Sequence, residues 1–222
     1  MTNEEILSHI DHTLLKAVSS WAEIGKLCGE AIRFRTASVC VPPSYVRRIR
    51  AAYGAELNIC TVIGFPLGYN SGAVKVLEAE TALAEGAGEI DMVINLGDVK
   101  NGDFEKLRNE IAALKKITGS RILKVIVETC YLSRDEKIRL CGAVTEAGAD
   151  YIKTSTGFGS AGATMEDVLL FKEHIGSGVK IKAAGGVKTR EDLEKFIGAG
   201  CDRIGTSSAV ALLSEAGAAT GY

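Results

Sequence analysis

The sequence predicts an α/β fold, a (β/α)8 TIM barrel with a short N-terminal helix before the first strand. Short runs of apolar, β-branched residues alternate along the chain with longer amphipathic segments. The short runs are almost continuously hydrophobic, which is typical of parallel strands that helices cover. Eight such units fit into the 222 residues, and no linker or shift in composition separates them. We therefore expect a single barrel domain over residues 1–222.

The strands are predicted in chain order from the short runs. Seven are clear from their β-branched composition and their length of five to seven residues. They lie at residues 37–41, 57–63, 89–95, 122–128, 150–154, 179–184 and 202–206. Residues 10–14 precede the first long amphipathic segment and supply the eighth strand. The alternative, an open doubly wound sheet, should carry a Gly-rich G-x-G-x-x-G turn after its first strand, and none follows residues 37–41.

Helices are predicted between the strands and after the last one. They lie at residues 21–31, 43–52, 73–85, 104–117, 134–147, 165–174, 191–197 and 208–213. Asp103, Ser133 and Thr164 each precede one of these helices as a candidate N-cap. Three helices end in a Gly-containing link that leads into a strand, at residues 85–88, 146–149 and 198–201. Glycine after a helix adopts the left-handed conformation that closes its last turn, so these links mark helix ends.

Composition excludes several classes of protein. The 26 Lys and Arg residues against 28 Asp and Glu residues give a net charge of −2, without the cation surplus that nucleic-acid binding requires. No apolar run of about 18 residues and no signal-peptide pattern occurs, so we expect a cytoplasmic protein with no membrane partner. The six cysteines and three histidines show no zinc-binding spacing. We expect buried reduced thiols, no metal and no cofactor.

Four charged residues lie inside predicted strands, where a barrel interior normally holds Val, Ile and Leu. They are Asp91, Lys124, Lys153 and Lys182. Each one alone could be a strand-end residue or half of an ion pair, but four together favour a functional site. Lys153 and Lys182 lie near the carboxyl ends of successive strands, the face at which these barrels build their active sites.

The two lysines and Asp91 suggest covalent chemistry. Two neighbouring ammonium groups disfavour each other's charge, and partial desolvation adds to this effect. A neutral amine at the barrel mouth can attack a carbonyl group and form a Schiff base. Asp91, on an earlier strand, is expected to hold one ammonium group and to transfer protons.

The last two strands end in a pattern that is typical of a phosphate site. Gly185 and Gly186 follow the seventh strand, and the segment from Gly205 to Ser208 follows the eighth and opens a short helix. Backbone N–H groups, two hydroxyls and a helix N-terminus bind anions, and barrels often hold a phosphate between these two loops. Lys188 could add positive charge. The simpler reading is that the glycines only form turns and that Ser207 or Ser208 is an N-cap.

These residues resemble the deoxyribose-phosphate aldolase family over essentially the whole chain. The matching segments are residues 11–13, 37–41, 61–66, 89–94, 124–129, 151–157, 182–186 and 203–208. The resemblance implies a class I aldolase that reversibly cleaves 2-deoxy-D-ribose 5-phosphate to acetaldehyde and D-glyceraldehyde 3-phosphate. It implies that Lys153 forms the Schiff base, that Lys182 favours the neutral form of Lys153, and that Asp91 belongs to the proton relay.

The resemblance also implies the binding residues. Asp11 and Cys40 match pocket-lining positions, and the terminal Tyr222 matches a tyrosine that assists proton transfer from a flexible tail. The phosphate is expected to contact segments that contain Thr156, Gly157, Gly185, Gly186, Gly205, Ser207 and Ser208. Phe158 is a departure, because some relatives carry Lys there, and it removes a candidate phosphate contact. A homodimer or higher homo-oligomer also fits the resemblance.

Two other functions remain open on the sequence. A phosphate-binding barrel isomerase or lyase would use a Lys and an Asp as acid and base without a covalent intermediate. A non-catalytic sugar-phosphate binder would keep the anion site and use its lysines only in ion pairs.

Overall fold

The computed structural model describes residues 1–218, in which eight parallel strands close into a barrel in the order β1 to β8. The strands are β1 Ile10–Thr13, β2 Ser38–Val41, β3 Ile59–Ile63, β4 Glu89–Val93, β5 Ile122–Ile126, β6 Tyr151–Lys153, β7 Lys180–Ala184 and β8 Arg203–Thr206. β1 pairs with both β2 and β8, so the sheet has no free edge. The predicted (β/α)8 barrel is confirmed, and each strand lies within two residues of its predicted bounds.

The helices surround the barrel. They are α1 Asn3–Ser8, α2 Trp21–Phe34, α3 Val46–Tyr53, α4 Gly72–Ala84, α5 Leu96–Asn101, α6 Phe104–Thr118, α7 Arg134–Glu146, α8 Met165–His174, α9 Arg190–Ala199 and α10 Ala209–Ala218. Two details differ from the prediction. The segment Pro43–Tyr45 forms a 3-10 turn before α3, and the short helix α5 was not predicted. Asn95, which the prediction placed in a strand, instead caps α5 by accepting a hydrogen bond from the N–H of Gly97.

The helix termini follow most of the predicted signals. Ser133 forms a capping box with Glu136, and the Thr164 side chain accepts from the N–H of Asp167. Among the described residues, Asp103 makes no side-chain bond to α6, because its ψ of 50° departs from the extended backbone of the other two caps. The predicted helix-stop glycines do have left-handed backbones, with φ of 109°, 72° and 110° at Gly86, Gly148 and Gly200.

The strands have two different faces. Residues such as Ile90, Val125 and Ile152 pack outward into one apolar cluster with the surrounding helices. Alternate residues point inward because side chains on a strand alternate between its faces. Several inward positions hold charged side chains, so the barrel separates an apolar outer layer from a polar interior. Among the described residues, no helix is long and apolar enough to cross a membrane.

The six cysteines are free thiols, as the sequence analysis predicts. Five are buried, and Cys130 is partly exposed. Burial raises the pKa of Cys28 to about 11, and burial together with the nearby Asp202 raises the pKa of Cys201 to about 12. These two thiols therefore stay protonated near neutral pH and pack as small apolar groups.

Candidate active site

Asp91, on β4, lies at the centre of the polar interior. Its Oδ2 accepts hydrogen bonds from Lys153 Nζ and Lys182 Nζ, both at 2.7 Å. Its Oδ1 accepts from Lys124 Nζ at 2.8 Å and from Cys60 Sγ at 3.1 Å. All five side chains are buried. The structure therefore brings together Lys153, Lys182 and Asp91, the three residues to which the sequence analysis assigns the chemistry.

Lys124, on β5, also belongs to this group, although the sequence analysis singled it out without assigning it a role. Besides Asp91, its Nζ lies 2.5 Å from Glu89 and 3.5 Å from Asp11. The signal was present in the sequence as a charged residue in a strand. Its role depends on strand register, which pairs Lys124 with Asp91 across β4 and β5.

Asp11, on β1, joins the lysines to a second layer of charge. Its Oδ2 lies 2.5 Å from Lys182 Nζ, and its Oδ1 accepts from Arg203 at 2.5 Å and from the Ser38 hydroxyl at 2.8 Å. Arg203 also donates to Glu89. We call the connected residues the charge cluster: Asp11, Glu89, Asp91, Lys124, Lys153, Lys182 and Arg203. It holds four basic groups and three carboxylates.

The electrostatics of Lys182 differ from the sequence prediction. That prediction rested on repulsion between two lysines, but a carboxylate oxygen of Asp91 lies between their amino groups. Burial alone lowers the pKa of Lys182, yet the carboxylates of Asp11 and Asp91 outweigh it, so the pKa of Lys182 is raised. Burial likewise raises the pKa of Asp91, and three lysines overcome it and hold that pKa well below its ordinary value. Lys182 and Asp91 are therefore both charged near neutral pH.

The ammonium group of Lys124 occupies the position that a bound cation would take. Ligand atoms of two sets lie close enough to hold a metal: Cys40, Cys60 and Asp91, and Asp11, Cys60 and Glu89. Lys124 Nζ already contacts both sets, at 2.5 Å from Glu89, 2.8 Å from Asp91 and 3.3 Å from the Cys60 sulfur. A metal ion there would have to displace this ammonium group.

A cavity of about 580 Å³ opens above Lys153 at the carboxyl ends of the strands. Most of the predicted binding residues line it, namely Thr156, Gly157, Gly185, Gly186, Lys188, Gly205, Ser207 and Ser208. In the described part of the chain, Asp11 and Cys40 are not on its wall. Asp11 lies beneath it against Lys182, and Cys40 packs in a small apolar cluster with Cys60 and Val62.

The far end of the cavity is made of backbone N–H groups. Within the described residues, the N–H groups of Gly157, Gly186 and Ser207 have no hydrogen-bond acceptor. Gly157 and Gly186 have φ of 87° and 77°, a conformation that favours glycine. Helix α10 begins directly after Ser208, with the N-terminus toward this loop. We call this group the anion cradle, because free N–H groups and a helix N-terminus bind anions.

The comparison with known proteins agrees with this geometry. Residues 6–221 match the DeoC/LacD family of aldolases. The chain belongs to this family.

Individual relatives of this aldolase cover nearly its whole length. It is 63% identical over 213 residues to the deoxyribose-phosphate aldolase of Clostridium botulinum (strain Eklund 17B / Type B), covering 96% of each chain. It is 55% identical over 212 residues to that of Clostridioides difficile (strain 630), covering 96% of this chain and 97% of the relative. The tetrameric deoxyribose phosphate aldolase of Aeropyrum pernix superposes with a TM-score of 0.90 at 32% identity, covering 99% and 94% of the two chains.

Glu128 is a residue of this aldolase that sequence reasoning missed. It follows β5 with a left-handed backbone, φ 54°, which is uncommon for a residue other than glycine. Its carboxylate accepts hydrogen bonds from the N–H of Thr156, at 3.1 Å, and from the Thr156 hydroxyl. Thr156 was predicted to help hold the phosphate, but Glu128 already occupies both of its donors. Glu128 instead holds the loop that carries Gly157.

Gly205 and Phe158 shape the cavity in different ways. A Cβ atom at Gly205 would lie 3.2 Å from Lys182 Cε and 3.2 Å from the Ala184 side chain, so this glycine makes room for Lys182. Phe158 is 55% exposed at the cavity mouth, where its ring packs edge-on against Phe65 with 5.3 Å between the centroids. An aromatic ring thus forms part of the cavity mouth.

Three further predicted residues complete the account of the aldolase site. Lys188 is exposed, and its N–H donates to Asp192 at the start of α9. The N–H of Ser208 donates to the Thr206 hydroxyl. Tyr222, to which the resemblance assigns proton transfer, lies outside the described residues.

Proposed function

We propose that the protein is a class I aldolase that reversibly cleaves 2-deoxy-D-ribose 5-phosphate to acetaldehyde and D-glyceraldehyde 3-phosphate, in the catabolism of deoxyribose phosphates. The names of the relatives support the substrate. The observation that carries the mechanism is Lys153, whose amino group lies at the floor of the cavity and contacts the charge cluster beneath.

The charge cluster supports a neutral Lys153. With every group ionised, four cations face three carboxylates, and the loss of one proton balances the charge. Within residues 1–218, Lys124 contacts three carboxylates and Lys182 contacts two, whereas Lys153 contacts the carboxylate of Asp91 alone. Arginine does not lose its proton in proteins. Lys153 is therefore the group whose proton is held by the fewest partners, and among the lysines of the charge cluster it is the one that lines the cavity.

The reaction begins when the neutral amine of Lys153 attacks the aldehyde carbon of the substrate. Loss of water gives an iminium ion, which acts as the electron sink. The C2–C3 bond breaks as the proton of the C3 hydroxyl leaves, and D-glyceraldehyde 3-phosphate departs. The remaining enamine takes up a proton at carbon, and hydrolysis releases acetaldehyde and restores Lys153. Asp91 accepts a hydrogen bond from Lys153 and shares that oxygen with Lys182, so these two residues are the groups that transfer the protons.

The anion cradle receives the phosphate. The free N–H groups of Gly157, Gly186 and Ser207 provide donors, and the N-terminus of α10 adds a favourable dipole. Gly185 and Ser208 shape the same wall, and Lys188 lies at its rim. A substrate with an aldehyde at one end and a phosphate at the other fits a cavity with an amine at its floor and amides at its far end.

Reductive trapping tests this function. Borohydride added with acetaldehyde should leave an ethyl group on Lys153, identified by peptide mass mapping. The matched control is Lys188→Met, which should still be labelled because Lys188 lies at the rim. A folded wild-type protein that gains no label at any lysine would refute the covalent mechanism. That result would favour the two non-covalent alternatives, which turnover assays with deoxyribose 5-phosphate would then separate.

We also propose the tail role for Tyr222 on the basis of the resemblance. A variant that ends at residue 221 should exchange deuterium into acetaldehyde several-fold more slowly than the full chain, because the enamine must take up a proton at carbon. Trapping of Lys153 should be unaffected. Equal exchange rates would remove Tyr222 from the mechanism.

We also propose that the chain self-associates. The relative from Aeropyrum pernix is described as tetrameric. We expect this chain to form a homodimer or a larger homo-oligomer in the cytoplasm. Light scattering after size-exclusion chromatography measures the mass directly, and a monomer across the working concentration range would contradict this part.

A further inference from the structure

Arg203 and Glu89 form a second layer of the charge cluster, beneath the lysines and away from the cavity. Arg203 Nη2 donates to Glu89 Oε1 at 3.0 Å, and Arg203 Nη1 donates to Glu89 Oε2 at 3.2 Å. Arg203 Nη1 also donates to Asp11 Oδ1 at 2.5 Å. In the described structure neither Arg203 nor Glu89 lines the cavity. They do not touch substrate in the proposed reaction, yet they carry two of the seven charges in the cluster.

Two chains of ion pairs connect this layer to Lys153. In the first, Asp11 contacts both Arg203 and Lys182, and Lys182 contacts Asp91. In the second, Glu89 contacts Lys124, which contacts Asp91. Both chains end at the carboxylate that accepts from Lys153.

These charges are largely shielded from bulk solvent. Glu89, Asp11 and Lys182 are at most 1% exposed, and the side chain of Arg203 is 13% exposed. Charges interact over longer distances in such an environment than they do at a surface. A charge added or removed in the second layer should therefore change the protonation of Lys153.

We propose that Arg203 and Glu89 are positioning residues that set the protonation of Lys153 through the charge cluster. This inference rests on the proposed function. Arg203 keeps its proton at every working pH, so it supplies a fixed positive charge that makes the cations of the cluster outnumber the carboxylates by one. Glu89 opposes it with a negative charge.

Several groups face these residues from the other strands. Lys153 contacts Asp91 of β4, and the same carboxylate contacts Lys182 of β7. Arg203 meets Asp11 of β1 and Glu89 of β4, and its guanidinium lies 5.9 Å from the ring centroid of Tyr151 of β6. The remaining nearby ionisable groups are Cys40 of β2, Cys60 of β3, Lys124 of β5, Lys180 of β7, and Asp202 next to β8.

The direction of each effect follows from the charge count. Glu89→Gln removes a negative charge, so the cluster gains excess positive charge and Lys153 loses its proton at lower pH. Arg203→Met removes a positive charge, so the fully protonated cluster is balanced and Lys153 keeps its proton to higher pH. The double variant removes one charge of each sign and should return to the wild-type value.

The experiment measures the rate of borohydride trapping with acetaldehyde across pH and extracts the midpoint for each variant. We expect shifts of roughly one pH unit, downward for Glu89→Gln and upward for Arg203→Met. Arg203→Lys is the matched control, because it keeps the charge but loses the planar two-donor contact, and its midpoint should stay with the wild type. Midpoints that coincide in all variants, or that move in the same direction, would overturn the inference.

A purely structural role gives a different result. Loss of packing lowers the melting temperature and the amount of active protein, but it leaves the midpoint unchanged. If Arg203→Met does not fold, the nearly isosteric Glu89→Gln and the charge-conserving Arg203→Lys decide the question. Failure of the proposed function is also distinct, since the wild type would then show no adduct at any pH.

Discussion

The two ends of the cavity are built from different parts of the chain. At the floor, side chains from six strands meet in the charge cluster, where each is held by ion pairs and all but Arg203 are buried. At the far end, the donors of the anion cradle are the backbone N–H groups of Gly157, Gly186 and Ser207. Within the described residues these groups have no hydrogen-bond acceptor. One end depends on charge and the other on backbone conformation.

This difference corresponds to two tasks. Proton transfer and imine formation require amino groups in fixed protonation states, and a buried network of carboxylates and ammonium groups provides them. Phosphate binding requires donors that are already free and already oriented, which glycine turns provide without desolvating a charged side chain. Substitutions at the floor should change kcat, whereas substitutions in the cradle should change KM for phosphorylated substrate.

Replacing the Schiff-base lysine should have the largest effect. Lys153→Met should lower kcat by at least about a thousandfold, because in the described part of the chain no other lysine of the charge cluster lines the cavity. The protein should keep nearly its wild-type melting temperature, since the variant leaves three cations facing three carboxylates. Kinetics and thermal unfolding measured together check both parts. An active Lys153→Met protein would show that a residue other than Lys153 forms the Schiff base.

Asp91→Asn should damage both activity and stability. The carboxylate accepts from three lysines, and its loss leaves buried ammonium groups without their shared partner, at a cost of about 3–5 kcal/mol. The variant also tests pH dependence. Because the pKa of Asp91 is held well below its ordinary value, its stabilisation is present above pH of about 4 and is lost as the pH falls toward the folded-state value.

Urea unfolding at a series of acidic pH values measures this effect. Wild-type stability should fall more steeply on acidification than that of Asp91→Asn, which has no carboxyl group to titrate there. Parallel stability curves for the two proteins would show that Asp91 contributes nothing to the acid dependence.

Substituting Gly205 tests whether this residue serves the charge cluster at the floor or the anion cradle at the far end. In Gly205→Ala the new methyl group would lie 3.2 Å from Lys182 Cε, so it should push Lys182 away from Asp91. We expect kcat to fall roughly tenfold, since small displacements of catalytic groups are costly. The KM for deoxyribose 5-phosphate should change little. A change confined to KM would instead assign Gly205 to the cradle.

Gly186→Ala should affect only the cradle. No heavy atom of the described residues lies within 4 Å of the new Cβ, but the backbone φ of 77° is unfavourable for alanine by about 1–2 kcal/mol. We expect KM for deoxyribose 5-phosphate to rise several-fold, while turnover of unphosphorylated deoxyribose is unchanged. Gly178→Ala is the matched control, because that site is equally open and its φ is not positive. Equal losses on both substrates would contradict the division of the cavity.

Phe158→Lys should have the smallest effect. It replaces an exposed ring at the cavity mouth with a cation, which should lower KM for deoxyribose 5-phosphate by about threefold, as expected for an exposed charge pair. Phe158→Leu controls for the loss of the aromatic contact with Phe65. A gain that persists at high salt, or that also appears with Leu, would not be electrostatic.

Much of this protein could be predicted from the chain alone, because the relevant signals are local. β-branched runs place the strands, and glycines after helices mark where the helices end. Charged residues within these runs, such as Lys153 and Asp91, stand out without any structure. Glycines that follow the last two strands also point to an anion site, since both the turn and the free N–H groups are properties of a few adjacent residues.

Tertiary structure decided which charges meet and with what result. Asp11 reaches Lys182, and Arg203 reaches Glu89, only because the barrel closes β1 onto β8 and directs alternate residues inward. That closure turns an expected lysine pair into a seven-residue network, and it reverses the expected direction of the pKa shift at Lys182. The balance of burial against Coulomb interaction depends on neighbours far apart in sequence, which no local pattern specifies.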